Sequence, residues 1–282
     1  ASVEIPDYSI AEMPPKICIA RGTDRAATAR QAFAALGGMQ AFVKPGERVL
    51  LKVNAAFASP PSLGATSHPE LVAAVVKMCL EAGASQIIVT DNPINDPASC
   101  FALTGIDAAA RKTGARVVLP RESLFRPYSL EGGRLIREWP VLYGPLAQVD
   151  RVIGMAPVKD HHRSGASMTL KNWYGLLGGR RNVFHQQVHT VIAELAAMLR
   201  PSLVVLDGTV RGKETPAGIT ARVRDVVEAY LLAIERCEAH SPYNICSGEA
   251  VRIEDVLASL LDMTDGQILV QPDPTRMRPS DT

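Results

Sequence analysis

The segment from Lys159 to His189, KDHHRSGASMTLKNWYGLLGGRRNVFHQQVH, concentrates side chains that can move protons and hold charge. It carries four of the six histidines, two lysines and three arginines, interleaved with Gly165, Gly175, Gly178 and Gly179. Glycines beside lysines suit a loop whose backbone N–H groups approach an anion, with Lys159 and Lys171 as point charges. Thr169–Leu177 reads as a short helix, and Lys171 and Asn172 near its start would face such an anion. His161, His162, His185 and His189 offer imidazoles for proton transfer or for a divalent metal, with His161 and His185 the ligand candidates. Their spacing matches no standard metal signature. His185 and His189 are four apart but lack the glutamate of H-E-x-x-H, and adjacent His161 and His162 cannot easily share one ion. A solvated basic loop and a helix with two surface histidines are the plainer accounts.

These groups need a frame, and short apolar, β-branched runs supply one. Arg48–Asn54, Gln86–Asp91, Arg151–Val158 and Leu203–Asp207 read as buried strands, with Lys16–Arg21 and Arg116–Leu119 as additional ones. Amphipathic helical patterns lie between them at Asp24–Leu36, Pro69–Ala82, Ile106–Thr113 and His189–Leu199. Leu124–Leu142, rich in glycine and proline, reads as a hairpin-like excursion. Strands alternating with helices imply an α/β fold: a mainly parallel sheet with helices on both faces. Each of the four best strands ends in polar groups: Lys52-Val53-Asn54, Asp91-Asn92, Lys159-Asp160-His161-His162 and Asp207-Gly208. Ligands of open α/β sheets bind outside the carboxyl ends of the strands. A binding set of Lys52, Asn54, Lys159 and Asn172 and a catalytic set of His161, Lys171 and Asp207 follow from that placement, with Asp91 orienting. At Thr66-Ser67-His68 a helix begins, where an anion would be welcome, although Ser67 or His68 could simply cap it.

Composition narrows the partners. A formal net charge of +1 argues against a broad nucleic-acid face, and 5% aromatic residues leave few stacking platforms. The longest apolar run falls short of the ~20 residues of a membrane-spanning helix. A small anionic ligand is the expected partner, with a protein partner or a homo-oligomer left open. The near-neutral total conceals an asymmetry: residues 1–218 hold 24 bases and 18 acids, residues 219–282 six arginines and eleven acids. Every lysine lies at or before Lys213, and the loop from Gly212 to Gly218 marks the expected boundary between an α/β domain and a C-terminal segment. That segment reads helix, strand, helix, strand, a small annex to the main fold. The five widely spaced cysteines contain no C-x-x-C pair, which excludes a local zinc knuckle or iron–sulfur motif. The sequence begins at Ala1 rather than methionine, so both a cytoplasmic location and export with a signal removed before Ala1 stay open. There is no G-x-S-x-G, no Walker A and no G-x-G-x-x-G after the first strand.

With these segments in view, residues ~16–218 resemble a prokaryotic family known as domain of unknown function 362. The resemblance rests on Val49–Asn54 (the family usually has K-P-N), Ala65-Thr66-Ser67-His68-Pro69-Glu70, Ala82-Gly83-Ala84 and Asp91. It continues through Pro157-Val158-Lys159-Asp160-His161 (close to P-K-x-K-T-H), Leu170-Lys171-Asn172-Trp173-Tyr174-Gly175, His185 and Asp207-Gly208. Val53, Val158 and Asp160 depart from the family's pattern. Some of its members carry an attached iron–sulfur segment; this chain lacks those cysteines, so the resemblance implies no cluster. The tail is similar to something else. Val223–Asp281 resembles the C-terminal part of nucleotide-sugar short-chain dehydrogenases of the GDP-mannose 4,6-dehydratase type, through Tyr243–Gly248 and Asp273–Asp281. That resemblance implies a nucleotide-sugar-binding lobe, with Arg278 near the diphosphate, and a chain assembled by fusion. The Tyr-x-x-x-Lys pair of those enzymes has no counterpart here, since Gly178 stands four residues after Tyr174.

Three functions are therefore expected in order. The first is an enzyme or redox accessory protein that binds a small anion or metal at the sheet's carboxyl edge. The second is a nucleotide-sugar dehydratase or epimerase fragment. The third is a non-catalytic binding or assembly subunit.

Overall fold

The computed structural model describes residues 2–10, 13, 17–161 and 163–208. The chain divides into two compact units, Ala1–Lys213 and Glu214–Thr282. The expected annex and Arg278 lie outside the described residues. The first unit opens with α1 (Arg25–Ala35), β1 (Arg48–Lys52), α2 (Pro69–Glu81), β2 (Gln86–Thr90), α3 (Pro97–Leu103), α4 (Ile106–Lys112) and β3 (Arg116–Val117). A hairpin of β4 (Phe125–Tyr128) and β5 (Trp139–Leu142) follows, then α5 (Tyr143–Leu146) and β6 (Arg151–Pro157). A second hairpin of β7 (Lys159–His161) and β8 (Gly165–Ser167) leads into α6 (Thr169–Asn172), α7 (Val188–Met198) and β9 (Leu203–Asp207).

Five strands form one parallel sheet in the order β3-β2-β1-β6-β9. The order reverses between β1 and β6, since the chain builds outward in one direction from β1 and in the other from β6. Such a switch point opens a crevice at the carboxyl ends of the two central strands. Alternation along each strand assigns the faces. Val49 and Leu51 of β1 point into a core with α1, α2 and α4, while Leu50 joins Ile88, Val152, Trp173 and the apolar side of α7. Helices thus cover both faces, as the alternating pattern predicts for a parallel sheet.

Local chemistry sets the element ends. The Asp24 carboxylate caps α1 by accepting from Ala27 N–H at 2.8 Å. Pro69 opens α2, His68 Nδ1 accepts from Glu70 N–H at 3.3 Å, and Gly83 with φ +93° stops the helix. His68 is the cap there, and Ser67 serves elsewhere. The excursion expected over Leu124–Leu142 is an antiparallel hairpin, Phe125 pairing with Leu142 and Tyr128 with Trp139. The strand expected at Lys16–Arg21 does not form. Lys16 lies outside the described residues, and Ile17 and Ile19 are half exposed in irregular backbone, so their alternation faces no core. The helix α3, absent from the sequence reading, follows Asp96, whose carboxylate caps Ser99 N–H at 2.8 Å. Its seven residues are too few to show a period.

Candidate functional site

At the switch point the ladder between β1 and β6 ends at Lys52 opposite Gly154, which opens a gap between these two strands beyond that pair. One side chain closes that gap. Asn172 Nδ2 donates to Met155 O at 3.0 Å and to Lys52 O at 3.3 Å, while its Oδ1 accepts from Lys52 Nζ at 2.9 Å and Asn54 Nδ2 at 3.1 Å. Two donors face its oxygen and two carbonyls face its nitrogen, so the amide has one sensible orientation. Ser67 completes the seam. Its hydroxyl donates to Met155 O at 3.0 Å and accepts from Asn54 N–H at 2.8 Å.

Two glycines let this seam form. The Trp173 indole lies flat on β6 because Gly154 has no side chain; a Cβ there would stand 2.5 Å from the ring. That contact seats α6 over the strand ends and delivers Lys171 and Asn172. A Cβ on Gly175 would run into Asp91 Oδ1 and Lys52 Nζ, so this glycine roofs the ion pair directly.

Beneath that roof, Lys52 is 1% and Asp91 2% exposed, with Lys52 Nζ 2.7 Å from Asp91 Oδ1. Asp91 Oδ2 accepts from Ala55 N–H at 2.7 Å. Lys52 Nζ also donates to Val53 O at 2.9 Å. Burial pushes the Lys52 ammonium below the ordinary lysine range, and Asp91 counteracts only part of that effect.

Three further cations surround the pair. Lys159 Nζ donates to Asn54 Oδ1 at 2.9 Å and Ala65 O at 2.7 Å, and sits 5.1 Å above the Phe57 ring. Burial, opposed by Asp91 and reinforced by Lys171 and Lys52, lowers its pKa to about 8. Lys171 lies 5.3 Å from the Tyr174 ring centroid, and no hydrogen-bond acceptor for its ammonium occurs among the described residues. Burial, together with Arg181 and Lys52, brings its pKa to about 8 as well. Arg181 spends its guanidinium on backbone, donating to Asn92 O at 2.6 Å, Pro93 O at 2.9 Å, Tyr174 O at 3.0 Å and Leu177 O at 3.1 Å. Lys52, Lys159 and Arg181 thus draw on the carboxylate of Asp91, while Lys171 is set against Arg181 and Lys52. The Thr66 hydroxyl is buried and has no partner among the described residues.

An aromatic stack borders this cluster. Tyr174 OH is 3.2 Å from His185 Nδ1, and burial raises the phenol to about 12. The His185 ring stacks on His161 at 5.6 Å between centroids and 22° between planes. His161 Nδ1 is 2.9 Å from Ser164 Oγ and accepts from Ser164 N–H at 3.2 Å. Among the described residues no three histidine, cysteine, aspartate or glutamate side chains are grouped to hold a metal ion.

The structure therefore brings Lys52, Asn54, Lys159, Lys171 and Asn172 together, with His161 and His185 stacked beside them. Asp207, at the end of β9, draws on a different cation: its Oδ2 is 3.4 Å from Nε of Arg25, the first residue of α1. Sequence reasoning did not single out Arg181. Arg180 and Arg181 are indistinguishable as a dipeptide, and only the fold turns Arg181 inward while Arg180 is exposed.

All the residues of this site from Lys52 to Arg181 fall inside a stretch, residues 49–227, that matches the family described as Domain of unknown function (DUF362). The chain belongs to that family. DUF362 thus covers β1 through β9 and the whole switch-point cluster. A thylakoid-associated protein of Synechocystis sp. is 29% identical over an alignment of 196 residues that covers 64% of this chain. The chain spans 58% of that relative's length. A GDP-6-deoxy-D-mannose reductase of Pseudomonas aeruginosa is 38% identical over 56 residues, 20% of this chain and 18% of the enzyme.

Proposed function

We propose that this DUF362 chain binds a small anion, a phosphate or carboxylate group, in the crevice at the carboxyl ends of β1 and β6. The observation that supports the reading is the charge balance among the described residues: Lys52, Lys159 and Arg181 share the Asp91 carboxylate, and the Lys171 ammonium, set against Lys52 and Arg181, has no acceptor among those residues. Partly buried positive charge is costly unless something pairs with it. Lys171 and Lys159 would contact the anion, and the Thr66 hydroxyl would donate to it. Lys52, Asp91, Asn54 and Asn172 are positioning residues that hold the strand ends in register.

With amines near pKa 8, Lys171 and Lys159 stand close to the range in which a group both gives and takes protons at neutral pH. This supports an enzyme that protonates or deprotonates its bound ligand, with His161 and His185 relaying protons past Tyr174.

Calorimetric titration with inorganic phosphate tests the site. Lys171→Ala should weaken binding by about 10- to 100-fold, the worth of a charge-assisted hydrogen bond. Lys171→Arg should recover part of that loss. Unchanged affinity in Lys171→Ala would overturn the reading.

The 56-residue likeness to a nucleotide-sugar reductase favours a second reading, in which the segment resembling those enzymes, with Arg278, binds a nucleotide sugar. GDP-mannose titration decides it, with Arg278→Ala weakening any binding seen.

A further inference from the structure

Ten large apolar side chains are exposed among the described residues, and five of them lie on the segments that frame the cationic crevice: Phe57, Leu63, Ile94, Leu170 and Val183. The other five, Ile17, Ile19, Leu80, Leu103 and Val204, are spread over the entry segment, two helices and β9. Backbone bonds tie the framing segments to one another. Ile94 N–H donates to Ala56 O at 3.0 Å, next to Phe57, and Arg181 reaches across to Asn92 O and Pro93 O. Leu170 precedes Lys171, and Val183 follows Arg181 by two positions. Ile94 is 65% and Leu63 69% exposed, and it is their grouping beside a polar site, rather than the exposure of any one side chain, that points to a ligand surface.

We infer that the anion is the head of an amphiphile, a single-chain alkyl phosphate or carboxylate whose apolar part lies across Ile94, Val183 and Phe57 while its head enters the crevice. The inference rests on the anion-binding reading proposed above and adds the substrate class. Charge complementarity fixes the orientation: a buried cationic floor accepts only the charged end, so the chain must leave along the apolar rim. A bare phosphate or a sugar phosphate would leave that rim in water.

The test is a calorimetric series of inorganic phosphate and the ethyl, butyl and hexyl phosphates, all below micelle-forming concentrations, on the full chain. Affinity should rise about twofold or more per methylene, as apolar surface leaves water. Ile94→Ser and Val183→Ser should flatten that rise and keep inorganic phosphate affinity within about twofold. Both positions are exposed, so neither variant threatens the fold. A flat series with inorganic phosphate still bound overturns the amphiphile and leaves the anion site standing. Absence of binding to every member overturns both. A flat series combined with co-sedimentation on phosphatidylcholine–phosphatidylglycerol vesicles would assign the rim to a bilayer surface, and likewise overturns the inference.

Discussion

Lys52 and Asp91 form a buried ion pair, 1% and 2% exposed. Removing one partner of a buried pair leaves an uncompensated charge. Asp91→Ala should therefore cost about 3–5 kcal/mol in urea unfolding. It should cost more than Lys52→Met, because Asp91 is also the counter-ion toward which Lys159 and Arg181 are drawn. A smaller loss for Asp91→Ala than for Lys52→Met would contradict that ranking. The lysines near pKa 8 carry a second expectation, with a definite sign. Their folded pKa lies below the ordinary 10.5, so between about pH 8 and 10 the unfolded chain holds more protons. Stability of the ligand-free protein should consequently rise with pH across that window, while sulfate affinity falls as the ammonium groups discharge. Thermal unfolding in anion-poor buffer at pH 7.5, 8.5 and 9.5 measures it, and Lys159→Met should reduce the slope. At this scale the sequence was readable where side chains end strands, as at Lys52, Asn54 and Lys159. The central place of Asp91, on which Lys52, Lys159 and Arg181 all draw, was not readable, because it depends on which strands lie side by side.

Elements reach their positions here through backbone groups as much as through packing. Glu194 of α7, 8% exposed, accepts from the N–H groups of Arg134, Leu135 and Ile136 at 2.6, 3.0 and 2.8 Å. Successive N–H groups converging on one carboxylate form a nest, and the bond clips the connection between β4 and β5 onto α7. Glu194→Gln replaces an anion by a neutral amide and should lower stability by about 2 kcal/mol, with Glu194→Ala lower still. Denaturant midpoints of the two variants check the order; equal midpoints to the parent would remove the clip from consideration. The strands and longer helices were legible because period and apolar run length are local properties. Glu194 offered no such signal: a glutamate within an apolar helix period looks like its solvent face. Likewise the weight carried by Gly154 and Gly175 appears only when Trp173 and the ion pair are seen against them. Gly154 lies in an apolar run where a glycine reads as a mere weak point, and Gly175 reads in the sequence as backbone that could approach an anion.

Over the whole molecule, the topology explains why one crevice collects groups from across the sequence. Reversal of strand order between β1 and β6 brings the turn after Lys52 next to the turn after Pro157, though a hundred residues separate them. Asn172 then locks the two turns together, and the first unit contains every part of the cluster from Lys52 to Arg181. The tail contributes charge of the opposite sign, six arginines against eleven acids over residues 219–282. At 0.15 M salt such charges act over only ~8 Å, so they leave a partly buried cluster largely untouched unless they enter it. A chain ending at Lys213 should accordingly unfold cooperatively and bind inorganic phosphate within about threefold of the full chain at that ionic strength. Its alkyl-phosphate series should keep the same dependence on chain length, because the five rim residues all precede residue 184. A tenfold weakening at 0.15 M salt would show instead that residues 214–282 supply part of the anion site. Loss of the chain-length dependence alone would show that they supply part of the rim.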